Sequence, residues 1–112
     1  KSLSKFDNAQ AIIVDNGHVL SIEAAEGTDL MLKRTAHLKK KFGNKKSGVL
    51  VKMPKKGQSL NYDLPTIGIQ TIQLCINANL KGIFLKKNKN IFLNKEKAIL
   101  LANKNNFFIS AV

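Results

Sequence analysis

The residues most able to do chemistry are few. Among 112 residues the acids are Asp7, Asp15, Glu23, Glu26, Asp29, Asp63 and Glu96, against 18 lysines, one arginine (Arg34) and two histidines. Three of these acids stand where chemistry is plausible. Glu26 and Asp29 follow one apolar run; Asp63 follows another, Gly48-Val49-Leu50-Val51, after the lysines Lys52, Lys55 and Lys56. In an α/β sheet, loops after parallel strands gather at one edge, the usual ligand edge. Two such loops would bring Glu26, Asp29 and Asp63 near Lys52 and Lys55. Carboxylates beside lysines at a helix start suit a phosphorylated ligand and Mg²⁺-assisted attack on phosphorus. Each acid also has a plain structural role. Asp29 complements a helix dipole, and Asp63, just ahead of Pro65, can cap a turn. No phosphate-binding loop, dinucleotide fingerprint, zinc-protease motif or nucleophile elbow occurs.

The elements that must position these residues follow from periodicity and turn chemistry. Ala11–Val14 reads as a strand, Asp15-Asn16-Gly17 as a hairpin turn and Val19–Ala24 as the return strand. His18 is expected to be an exposed turn residue. A helix opens at Glu26-Gly27-Thr28-Asp29 with Thr28 as N-cap and closes at Gly43. Its outer face is expected to carry Lys33, Arg34, Lys39, Lys40 and Lys41, with Lys45 and Lys46 in the loop beyond. Ser47–Lys52 is a third strand, and Thr66–Leu80 a largely buried helix containing Cys75. Ile83–Leu85 and Ile91–Leu93 read as a hairpin, followed by a helix over Lys95–Asn103 and a last strand over Phe107–Val112. The order β-β-α-β-α-β-β-α-β predicts an α/β fold: a three-layer sandwich in which helices cover both faces of a mixed sheet.

Composition bounds the rest. The length suits one domain. Hydrophobic residues make 44% and charged ones 23%, ordinary for a globular chain, but the net charge of +12 invites phosphates, anionic membrane or nucleic acid. Lysine without arginine is a poor base reader, so nucleic acid is the weaker expectation. The single cysteine excludes a disulfide framework and fits a cytoplasmic location. No apolar run approaches the ~18 residues of a membrane span. The chain starts at Lys1 rather than methionine, as expected of a piece of a longer protein.

Three segments carry a resemblance: Glu23-Ala24-Ala25-Glu26-Gly27-Thr28-Asp29; Gly48-Val49-Leu50-Val51-Lys52-x-x-Lys55-x-x-Gln58; and Tyr62-Asp63-Leu64-Pro65-Thr66-Ile67-Gly68. Over about residues 10–112 the chain resembles the C-terminal domain of the I-type UDP-2,3-diacylglucosamine pyrophosphatases of lipid A synthesis in Gram-negative bacteria. The resemblance implies a cytoplasmic or peripheral enzyme that uses Mg²⁺ to cleave UDP-2,3-diacylglucosamine into UMP and 2,3-diacylglucosamine 1-phosphate. It implies two domains with the substrate between them. Asp63 matches the family's catalytic aspartate, with a metal-holding role; Glu26, Thr28 and Asp29 would line the same pocket, and Lys52, Lys55 and Gln58 would hold phosphates. Many relatives have Asp-x-Arg where this chain has Ser59 and Asn61, which would weaken phosphate or metal contacts. Without the N-terminal domain, residues 1–112 are expected to be inactive alone, and the basic helix to favour the inner-membrane surface. Two other readings stand beside this one: a basic module for nucleic acid or anionic membrane, and a purely structural partner domain.

Overall fold

The computed structural model describes residues 9–22, 27–54, 66–86 and 91–112. The elements run β1 (Ala9–Asp15), β2 (His18–Ile22), α1 (Thr28–Lys41), β3 (Val49–Pro54), β4 (Thr66–Ile67), α2 (Ile69–Asn77), β5 (Gly82–Leu85), β6 (Ile91–Phe92), α3 (Lys95–Lys104) and β7 (Phe108–Ala111). Five strands form one sheet in the order β2-β1-β3-β5-β7. β1 is antiparallel to both neighbours, and β3, β5 and β7 are mutually parallel. The α/β class, the mixed sheet and the three helices are those expected.

Local chemistry explains the boundaries. Asn16 and Gly17 both take positive φ, closing the β1–β2 hairpin as Asn-Gly pairs do. All three helices end in a Schellman motif, with backbone bonds from Asn44 to Lys39, Leu80 to Cys75 and Phe107 to Ala102. The residue past each helix end must be left-handed; Gly43 supplies it for α1, and asparagines Asn79 and Asn106 supply it for α2 and α3. Asn44 and Asn94 are left-handed as well.

Three expectations about the arrangement of elements fail. Residues 83–85 and 91–93 do not form a hairpin: β5 lies between β3 and β7, and β6 pairs in parallel with β4 as a separate two-stranded ladder. The helix expected from Thr66 begins only at Ile69, because Thr66–Ile67 is that ladder's other strand. And among the described residues the helices do not sandwich the sheet. The units β3–α2–β5 and β5–α3–β7 step in the same direction across it, so right-handed crossovers put α2 and α3 on one face. Contacts of α2 with both α1 and α3 complete a single helical layer.

Burial follows that layer. On the helix-facing side Ala11, Ile13, Leu50, Ile83 and Leu85 pack with Met31, Leu32, Ile72, Cys75, Ala98 and Ala102 in one core. Each large aliphatic there contributes about 1.5–3 kcal/mol by leaving water. Polar groups within this layer are satisfied: the buried Thr35 hydroxyl donates to the Met31 carbonyl at 2.9 Å and lies 2.9 Å from the Ser21 hydroxyl. Lys39 was expected on the outer face of α1 but is buried. Its Nζ donates to the carbonyls of Ser47 at 2.6 Å and Asn79 at 2.8 Å, tying two loops to the end of α1. Burial pulls its pKa down, and Asp15 opposes this. Among the described residues, no helix is long and apolar enough to cross a membrane.

Candidate active site

The sheet has two unlike edges. At the C-terminal ends of β3, β5 and β7 lie Lys52 and the N-termini of the helices. At the other end lie the β1–β2 hairpin and the helix C-termini. His18 is exposed beside that hairpin, away from the first edge.

At the C-terminal edge three of the expected site residues come together. Lys52 sits in register between Ala11 and Leu85 on the helix-facing side of β3 and is buried, so its ammonium points among the helices rather than into solvent. Its Nζ donates to Thr28 Oγ1 at 2.7 Å. Thr28 is therefore not the N-cap. Gly27 holds that position, at φ 90°, with no side-chain cap bond, and Thr28 is the first helical residue. The glycine is needed there because an L side chain strains at that φ. With the cap role left to glycine, the threonine hydroxyl receives the lysine.

Asp29 occupies the first turn of α1, where the helix dipole favours a carboxylate. Its Oδ1 accepts a hydrogen bond from Thr71 Oγ1 at 3.2 Å, so α2 fixes the side chain that α1 supplies. Sequence reasoning missed Thr71. Little marked it, because Gln70, Gln73 and Asn77 are polar residues of the same helix. Cys75, one turn further along α2, is fully buried. Burial drives its thiol pKa above the usual range; the charge of Asp29 pushes the same way, while that of Lys52 opposes it. Asp29 and Lys52 thus lie close enough to one sulfur for both charges to act on it. Cys75 stays protonated near neutral pH and is a core residue rather than a nucleophile.

Glu26, Lys55, Gln58 and Asp63 lie outside the described residues, as do Ser59 and Asn61. Their flanks are placed. Gly27 adjoins Glu26, and Pro54 and Thr66 bracket the segment holding Lys55, Gln58 and Asp63. Among the described residues, no three His, Cys, Asp or Glu side chains gather as a metal site. What the described part offers is a buried cation against the first turn of a helix, with one anchored carboxylate beside it. That combination neutralises and orients an anionic group.

The family model of the LpxI C-terminal domain matches residues 1–110. The chain belongs to that family. A relative, the UDP-2,3-diacylglucosamine pyrophosphatase LpxI of Caulobacter vibrioides, is 36% identical over 115 aligned positions, covering 100% of this chain and 41% of the relative. The chain thus spans about two fifths of that relative's length. Family membership agrees with the reading of the three motif segments, two of whose site positions, Thr28 and Lys52, touch in the structure.

Proposed function

We propose that this chain is the catalytic-side domain of an enzyme that hydrolyses the pyrophosphate of UDP-2,3-diacylglucosamine to UMP and 2,3-diacylglucosamine 1-phosphate. The observation that carries the proposal is the Lys52–Thr28 contact at the ligand edge of the sheet, within a chain of the LpxI family. Water adds across the P–O–P bridge, and negative charge grows on the phosphate oxygens as the bridge breaks. Lys52 and the first turn of α1 neutralise that charge from one side, and Lys55 and Gln58 extend the same phosphate-holding surface. Asp63 is the catalytic carboxylate. Glu26 and Asp29 line the pocket wall. Asp63 would hold Mg²⁺, which phosphate sites bind with only one or two protein carboxylates, and the ion would neutralise phosphate charge.

The other half of the chamber belongs to the longer polypeptide, so residues 1–112 alone are inactive. In that longer protein Asp63→Asn abolishes turnover while substrate still binds. Turnover that survives this change by more than about a hundredth of the original rate sinks the assignment.

The exposed Lys33, Lys40, Lys41 and Lys45 support a second element of the proposal, peripheral attachment to anionic membrane. Vesicle sedimentation at low salt tests it. Equal sedimentation with neutral and anionic vesicles would show that the basic face is only a solvated surface. Binding to any polyanion, nucleic acid included, with the same steep salt dependence would instead favour the unspecific basic module.

A further inference from the structure

The sheet face turned away from the helices carries two complete cross-strand rows. One runs Ile22–Ile12–Val51–Phe84–Ser110 and the other Val19–Val14–Val49–Gly82–Phe108. None of these ten residues is charged, in a chain of net charge +12. Val19 is 55% and Ile22 54% exposed. At the far end Phe108 folds over Gly82, where a Cβ would meet its ring within 2.4 Å, and packs edge-on against Phe84 at 5.1 Å between centroids. Sheets with parallel strands are normally covered on both faces. Here, among the described residues, one layer of helices covers one.

We propose that this face docks the other domain of the same polypeptide rather than a second copy of this one. Four observations favour the tethered partner. Five strands at about 4.8 Å spacing and two residue rows give a face of roughly 300 Å². A free-standing interface needs about 800 Å² from each partner, so the face is too small to hold an untethered copy by itself. Two copies would also bring +12 against +12. A tethered domain needs less area, because the linker raises its effective concentration to the millimolar range. Such a domain exists in the family: more than half of the Caulobacter relative lies outside the matched part. The geometry of β1 fits as well. Ala9, its first residue, pairs with Pro54 at the ligand edge, so a preceding domain joins the sheet beside the site and within reach of the outer face. The inference rests on family membership and adds a surface to it.

The test uses the longer polypeptide, with cysteines outside this domain replaced by serine, and compares maleimide labelling of Val19→Cys, Ile22→Cys and Leu100→Cys. Cys75 is buried and stays silent, and Leu100 is 68% exposed on the outer side of α3. Docking predicts labelling at positions 19 and 22 about tenfold slower than at 100, at every protein concentration and without lipid. Equal rates overturn the proposal. Protection that vanishes on dilution overturns it in favour of a second copy, and protection that appears only with vesicles overturns it in favour of lipid. Turnover is read on the same preparations. Fast labelling in an active enzyme refutes the docking surface alone, whereas an inactive unsubstituted protein refutes the proposed reaction.

Discussion

Replacing Lys52 with methionine separates chemistry from architecture. Lys52 is 6% exposed, lies between Ala11 and Leu85, and gives a charge-assisted bond of 2.7 Å to Thr28. Losing such a bond costs about 1.5–3 kcal/mol. Removing the ammonium also removes its desolvation penalty, several kcal/mol for a buried ion. Methionine keeps most of the stem volume and bends to fill what is left. These terms oppose each other, and the expected change in unfolding free energy is no more than about 1 kcal/mol. For a domain of this size that is a midpoint shift of about 4–8 °C at most. Activity has no such compensation. A phosphate that loses its buried cation loses transition-state stabilisation, and kcat/KM of the longer enzyme should fall about 100-fold, or about 2.7 kcal/mol. The assay pairs thermal unfolding with turnover at saturating and limiting substrate. A large loss of stability with kcat/KM intact would refute the reasoning and make Lys52 a structural tie.

Lys39 provides the contrast, since Lys39→Met leaves two carbonyls, of Ser47 and Asn79, without their partner, which outweighs the relieved desolvation and should cost about 1–3 kcal/mol in urea unfolding while turnover persists. Gly82→Ala drives a methyl group into the Phe108 ring and should destabilise by about 1–3 kcal/mol; adding Phe108→Ala should recover part of that in a double-mutant cycle, and additivity would refute the clash. The Cys75 thiol is raised above its ordinary 9.0, so the folded state holds its proton at pH values where the unfolded chain has lost it. The stability this provides is intact below pH 9.0 and declines as pH rises beyond it; Cys75→Ala should flatten that alkaline decline, as read from unfolding midpoints across pH.

Much of the fold is legible because its signals are local. Asn16-Gly17 specifies a hairpin within two residues, and the apolar spacing of α2 and α3 marks both helices. The misreadings arise from distance. Thr66–Ile67 extends the apolar pattern of the helix after it, and only a partner 25 residues away, Ile91, makes it a strand. Lys39 looks like its exposed neighbours until two loops, at Ser47 and Asn79, present carbonyls to it. The one-sided helical layer follows from crossover direction, which no periodicity encodes. Of the site, the residues following the strands were legible by position: Thr28 and Lys52 do meet, and Asp29, next to Thr28 in the chain, is held by Thr71. Thr71 itself was hidden because it does not stand out among the other polar residues of its helix, Gln70, Gln73 and Asn77.

The left-handed asparagines point to a way of toughening the domain. Asn44 and Asn106 stand at φ 51° and 54° beyond the ends of α1 and α3, at the sheet edge opposite Lys52. Glycine adopts that conformation without the steric penalty an L side chain pays, a relief set against its greater unfolded-state entropy. Four of the five left-handed asparagines, Asn16, Asn44, Asn79 and Asn106, thus stand at the edge away from Lys52, where substitutions can trade rigidity for tolerance; Asn94, at the start of α3, is the exception.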